Sequence, residues 1–253
     1  MNLFRWSTAG RYDLEPQPCR HKIVSLGSPP LPCPKIQIRE YRENDRNELR
    51  RICCETGFLG NSIDAVYRDR ELFADLITGP YLDYAPEWSL VAESDGQVVG
   101  YLIGSVNNHF RLTLMYCGLN VVIKMLLRLI TGKYHDHPRS ERYVRWVLAK
   151  GLKEQPKHPE NAAHLHLNLK RTYRGRTIAK RMWLIYEEML KAAGVGQYYA
   201  EFYSYGRHRP ERVYARYGFK FFDRCETTMF RPEIRIPVYV VCLNKSLPIE
   251  GIE

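Results

Sequence analysis

The stretch from His164 to Tyr203 constrains the fold more than any other part of the chain. His164-Leu165-His166-Leu167-Asn168-Leu169 alternates strictly. That is the period of a strand, with leucines on one face and His164, His166 and Asn168 on the other. A short basic turn follows. From Arg174 to Ala193 the apolar residues return at helical spacing, with Ala179, Met182, Trp183, Tyr186 and Leu190 on one stripe. Gly194 and Gly196 end that helix, and Tyr198 to Tyr203 reads as a second strand. A strand, a helix and a strand in so few residues make a parallel pair joined by the helix.

The remaining elements fit around this unit. Ile36 to Tyr41 alternates as a half-buried strand. Asn44 or Asp45 is placed to cap a helix running to about Thr56. A second helix is expected over Tyr67 to Ile77, ended by Gly79-Pro80. Trp88 to Glu93 and Gln97 to Val106 read as strands, joined by a hairpin at Asp95-Gly96. Downstream come a short helix (Pro210 to Tyr217) and strands at Phe219 to Phe222 and Ile236 to Leu243. Helices alternate with strands only in the second half. The expected class is therefore α/β (α+β), a mixed central sheet of about seven strands flanked by helices, antiparallel at first. Residues 1–34 are expected as a disordered tail ending in a proline-rich linker, 35–246 as one domain, and 247–253 as a second tail.

Residues 107–160 interrupt this order as a helical insertion. They carry ten Lys and Arg against four Asp and Glu, more than half of the net charge of +10. Leu112 to Ile130 is strongly apolar but holds Asn120, Lys124 and Arg128, so it reads as an amphipathic helix and not as a membrane span. A packed cap, a substrate lid and a membrane-surface contact all fit that pattern. The seven Cys are odd in number and scattered, with no C-x-x-C, which points to a reducing compartment. Cys53-Cys54 reads as a pair of buried thiols. The expected location is cytoplasmic; Arg5, Arg11 and Arg20 would also suit a mitochondrial presequence. The basic charge suits anionic partners.

The chemistry concentrates at the turn after the His164–Leu169 strand. A strand runs through Lys170-Arg171-Thr172-Tyr173-Arg174-Gly175-Arg176 straight into a helix. The first N–H groups of a helix lack intrahelical partners and sit at the positive end of its dipole. Such a junction is an anion cradle suited to a pyrophosphate. Arg171, Arg174, Arg176 and Lys180 add charge, and Gly175 lets backbone approach a ligand closely. No G-x-S-x-G and no Walker Gly-Lys-Ser/Thr occurs, so hydrolase-elbow and P-loop chemistry lack support. His135, His137, His158, His164 and His166 have no flanking Cys partners, so no metal is expected. The aromatic run Tyr198, Tyr199, Phe202, Tyr203 and Tyr205 reads as strand core and cleft wall in preference to nucleic-acid stacking.

Residues 174–180 resemble the acetyl-CoA signature of the Gcn5-related N-acetyltransferase (GNAT) family, Arg or Gln, two residues, Gly, one residue, then Gly or Ala, after an L-x-V strand end. Arg174, Ala179, Leu167 and Leu169 match, and Thr177 stands where the family usually has its second glycine. Val213-Tyr214-Ala215-Arg216-Tyr217-Gly218-Phe219 is similar to the family's F-Y-x-x-x-G-F segment. His208 stands where many members have a cofactor-contacting Asn. Asp83 to Trp88, together with the H-L-H-x-N-L strand, looks like the branch that includes the acetyltransferase-like domain of O-GlcNAcase.

The resemblance implies acetyl-CoA as co-substrate and direct transfer of its acetyl group to a primary amine, a small molecule or a protein, in a ternary complex. A catalytically inactive domain of the same fold is the alternative. It implies a split between the two strands of the parallel pair, with the thioester beside Leu167, Asn168 and Leu169. The diphosphate would sit at Arg174, Gly175, Arg176, Thr177, Ile178, Ala179 and Lys180, near His208. Tyr214 would protonate the leaving thiolate, and the backbone N–H of Leu167 or Asn168 would meet the oxyanion. His166, His164 and the carboxylate of Glu93 are the candidate bases, beside a water chain with no single base.

Overall fold

The computed structural model describes residues 35–106, 110–174 and 177–248. The expected N-terminal tail, Gly175 and Arg176 lie outside them. The chain runs β1 (Ile36–Glu40), α1 (Arg46–Thr56), α2 (Arg70–Ile77), α3 (Gly79–Tyr84), β2 (Leu90–Ser94) and β3 (Gln97–Ser105). Then come α4 (Phe110–Ile130), α5 (Pro138–Lys150), β4 (Ala163–Leu169), α6 (Ile178–Ala192), β5 (Gln197–Tyr205), α7 (Pro210–Tyr214), β6 (Lys220–Thr227) and β7 (Val238–Ser246). The strands form one seven-stranded sheet in the order β1-β2-β3-β4-β5-β7-β6. Only β4 and β5 pair in parallel; the other neighbours are antiparallel. This is the mixed sheet that the alternation implied.

Local chemistry explains where the elements meet and where they depart from expectation. Asp95 and Gly96 both take positive φ (50° and 78°), the turn that matches strand twist in a two-residue hairpin. Gly79-Pro80 does not close a helix. It opens α3, because proline is well suited to a first helical turn, where its missing N–H has no intrahelical partner to lose. Asp45 precedes α1, yet its carboxylate does not cap that helix. Arg39 takes it instead, at 2.7 and 2.8 Å, along with the Arg42 N–H. Leu247 is buried and its N–H reaches the Gly196 carbonyl at 2.8 Å, so the chain stays packed on the domain one residue past β7, within what composition marked as tail.

Each sheet face has its own core. One lies under α6, with Leu165, Met182, Tyr186, Leu190 and Leu243. The other lies under α1 to α5 and includes Cys53 and Cys54, whose thiols burial pushes up to about 12 and about 11. The basic insertion belongs to this second core, because Phe110, Val121, Met125, Tyr143 and Val144 are all buried in it. Asp69 pins it: the carboxylate caps α2 at Leu72 N–H and accepts from Arg128 Nη1 (2.6 Å) and Tyr134 Oη (2.7 Å). Helices α4 and α5 therefore pack on the domain as a cap; residues 107–109 lie outside the described residues.

Candidate active site

β4 and β5 pair over only three positions, Ala163↔Tyr198, His164↔Tyr199 and Leu165↔Ala200. Beyond Leu165, β4 stays with β3 as far as Leu169↔Gly100. Beyond Ala200, β5 stays with β7 as far as Tyr205↔Val238. The middle of the sheet therefore opens into a V, narrow at Leu165 and wide at the carboxyl ends. Backbone groups of His166 to Leu169 and Glu201 to Tyr205 that face the gap have no strand partner across it. Such groups seek hydrogen bonds from water or from a ligand.

At the wide end the chain turns into α6. Arg174 is extended (φ −74°, ψ 158°) and the helix begins only at Ile178, four residues later than the apolar spacing implied. Thr177 supplies no side-chain cap, and the ladder begins with Arg181 N–H on the Thr177 carbonyl. The N–H groups of Ile178, Ala179 and Lys180 thus lead the helix dipole. Arg174 folds back over the end of β4, its Nε donating to the Leu169 carbonyl at 3.0 Å. Burial and the nearby Arg171 lower its pKa, and among the described residues no carboxylate pairs with it. Gly60 (φ 86°) lets the loop after α1 pass close by: a Cβ there would lie 2.7 Å from Arg174 Nη1. The result is an electropositive pocket rim with unspent donors.

The narrow end holds a cluster of imidazoles around one carboxylate. His158 Nε2 lies 3.0 Å from Glu201 Oε1, and His164 Nε2 lies 4.0 Å from Oε2. His164 Nδ1 is 2.6 Å from Tyr81 Oη. Burial raises the Tyr81 phenol far above its ordinary value, so it keeps its proton and donates to Nδ1. His164 Nε2 then carries the ring hydrogen, buried with no hydrogen-bond partner and aimed toward Glu201. Tyr199 stacks on both rings, at 4.5 Å from His164 and 4.9 Å from His158. His166 stands edge-on to His164 and to Tyr81. A cavity of about 280 Å³ opens beside His164 and Tyr199, walled by Phe110, Arg111 and Leu114 of α4. Glu201 was not singled out from the sequence. Its signal was parity: it is the lone carboxylate in an aromatic strand, two positions from Tyr199 and on the same face.

The candidate residues separate into those the fold gathers and those it scatters. His166, Leu167, Asn168 and Leu169 line the β4 side of the gap, and His164 lies in the paired seam below it, opposite Tyr199. Tyr214 faces the other leaf, its ring 4.2 Å from Phe202 of β5 and 4.9 Å from Trp183 of α6. Burial pushes its phenol up to about 12, and its hydroxyl makes no hydrogen bond among the described residues. His208 is exposed in the turn after β5, closed by paired backbone bonds with Tyr205. Glu93 is not brought to the site. It lies on β2, two strands from β4, and is held by Arg39 Nε at 2.8 Å; its position beside a hairpin carries it away from the gap. His164 is also poorly placed as a base, because one nitrogen is occupied and the other carries the hydrogen. Among the described residues no cluster of His, Cys, Asp and Glu has metal-holding geometry.

Burial lowers the pKa of both imidazoles, with His166 partly restored by Glu201. A free His titrates near about 6.5, so His166 is neutral at pH 7 and loses that form only below it. If His166 accepts the proton, the acid limb of kcat/KM is expected below pH ~6.5, and His166→Gln is expected to abolish that limb. An unchanged limb in this variant would remove His166 as the base. The same sign applies to stability at His164. The unfolded chain protonates this residue at about 6.5 and the folded chain resists, so stability falls as pH drops below that value.

No family model matches the sequence, and no curated protein matches it. Solved structures do. The crystal structure of SsHAT is 24% identical, with a TM-score of 0.52 over 84% of this chain and 98% of that one. A provisionally assigned acetyltransferase of Acinetobacter baylyi ADP1 is 12% identical, with a TM-score of 0.53 over 88% and 98%. The fold is that of the GNAT N-acetyltransferases. Across the V the backbones of the two halves of the sheet are hydrogen-bonded only at its narrow end.

Proposed function

We propose that the chain is an acetyl-CoA-dependent N-acetyltransferase that acetylates a primary amine by direct transfer in a ternary complex. The parting of β4 and β5 after Leu165↔Ala200 carries this reading. The gap offers unpaired backbone groups along its length, which suits an amide-bearing pantetheine arm. It ends at the Ile178–Lys180 N–H groups, Arg171 and Arg174, which suit a diphosphate. The thioester would then lie at the narrow end. There the amine loses a proton, through His166 or through water beside Glu201. The nitrogen attacks the carbonyl carbon, an N–H of Leu167 or Asn168 meets the oxyanion, and the C–S bond breaks as Tyr214 gives its proton to sulfur.

A second reading, a non-catalytic binding or regulatory domain, is favoured by one feature: rings of Trp183, Phe202 and Phe219 close in the Tyr214 side chain. The resemblance to the O-GlcNAcase branch rests on Asp83 to Trp88 and the β4 pattern. The side chain of Trp88 packs edge-on against Tyr186. Location in the cytoplasm remains part of the proposal.

Titration calorimetry with acetyl-CoA, followed by turnover against a panel of primary amines and peptides, separates the readings. Binding with turnover is expected. Binding without turnover on any amine would favour the regulatory domain, and no heat at high micromolar acetyl-CoA would sink the enzyme reading. Acetyl-CoA is further expected to slow hydrogen exchange at Ile178, Ala179 and Lys180, since their N–H groups would take the diphosphate. Unprotected amides there would move the cofactor elsewhere.

A further inference from the structure

α4 has two apolar faces, and only one of them is used. Phe110, Val121 and Met125 point into the core. On the opposite side Leu112, Tyr116, Leu119, Ile123, Leu127 and Ile130 recur at three- and four-residue steps and are all exposed; Leu112 is 64% exposed and Ile130 72%. Met115, at 70%, and Leu126 widen the stripe. Its length is about 27 Å at 1.5 Å per residue. An outward apolar stripe of this size is far more than the scattered single residues of an ordinary surface.

The helix is long and apolar enough to cross a membrane by composition, but its anchoring forbids that. Arg128 reaches Asp69 at 2.6 Å and Glu71 at 2.8 Å. Spanning would tear Val121 and Met125 from the core and carry a guanidinium and its partners into lipid. The charge around the stripe selects what can cover it in place. α4 contains no Asp or Glu. Arg111 and Lys124 of the helix and Lys133 just beyond it are exposed and make no salt bridge among the described residues. A second copy packed stripe against stripe would bring these cations onto like charges. Anionic headgroups would neutralise them while the stripe enters the acyl boundary.

We propose that α4 docks this protein onto an anionic membrane surface, lying in the plane of the headgroups with the Leu112–Ile130 stripe buried in lipid. The helix that docks also walls the cavity beside His164 and Tyr199, so docking sets that cavity at the membrane boundary. The inference does not depend on the acetyl-transfer reading.

Co-sedimentation of the full chain with vesicles tests it. The protein is expected to pellet with phosphatidylcholine vesicles containing about 25% phosphatidylserine and to stay in solution with phosphatidylcholine alone. The double variant Leu119→Glu, Ile123→Glu is expected to lower partitioning at least about tenfold. Both positions are exposed, so its thermal melt should match the parent; a lowered melt would call for Lys124→Ala with Lys133→Ala, which is expected to lose anionic binding and keep the fold. Three results would overturn the proposal: no pelleting with either vesicle, equal pelleting with both, or a dimer that the double variant dissolves without any vesicle binding.

Discussion

Tyr214→Phe is expected to cut the single-turnover rate of acetyl transfer by about 10- to 1,000-fold and to leave the melting temperature where it was. The structure separates the two effects. Ring contacts with Phe202, Trp183 and Phe219 survive the substitution, because phenylalanine keeps the ring. The hydroxyl has no hydrogen-bond partner among the described residues, so its loss strands no buried group. Burial holds the phenol at about 12, so the proton is in place at neutral pH and is needed only as charge develops on sulfur. The loss should therefore appear in kcat, with KM for acetyl-CoA nearly unchanged. A melt lowered by about 1 kcal/mol with a normal rate would be the mark of a structural tyrosine, and would leave solvent to protonate the thiolate.

Gly104→Val is expected to destabilise the domain by about 3 kcal/mol or more, at the upper end for an overpacked core. That corresponds to a fall in melting temperature of roughly 6–12 °C for a chain of this size. Gly104 lies on β3 opposite Leu165. A Cβ there would sit 2.3 Å from Tyr186 Oη and 2.7 Å from its Cζ. Tyr186 cannot retreat: it is fully buried, and its hydroxyl donates to the His164 carbonyl at 3.1 Å. Tyr186→Leu opens the space, so the double variant should be more stable than the sum of the two single effects. Strict additivity would show that the ring moves freely and that Gly104 is not selected by this contact.

What could be read from residues alone follows the range of the interaction that decides each feature. Asp95-Gly96 was legible because a two-residue turn depends on its own φ angles. The β4–α6–β5 unit was legible because period and punctuation are local. Asp45 misled because the group that claims its carboxylate, Arg39, lies across a turn in another element. Gly79-Pro80 misled because the same dipeptide serves a helix stop and a helix start, and only the position of α3 against the sheet selects between them. Glu201 was hidden among aromatics, and its meaning comes from His158 and His164, which reach it from separate segments. The late start of α6 reflects Arg174 holding the Leu169 carbonyl, a contact no periodicity records. The double-sided α4 was visible as an apolar run with charges in it, but which side the core would take was not.

The parting of β4 from β5 divides the molecule mechanically into two leaves. One carries β1 to β4 with α1 to α5, the other β5, β7 and β6. Their backbones share a three-residue seam, and behind it Glu187 of α6 accepts from Tyr198 Oη at 2.5 Å and from Lys245 Nζ at 2.6 Å; on the other face Phe58 packs on Phe230 and Arg142 pairs with Glu233 across the two. The seam and the Glu187 contacts both sit at one end of the V, and beyond them no backbone bond of the sheet crosses between β4 and β5. A molecule lying along the gap would act as an eighth strand, supplying backbone partners where the sheet itself has none. Its grip would be felt as stiffness in β4 and β5, the two strands that border the gap.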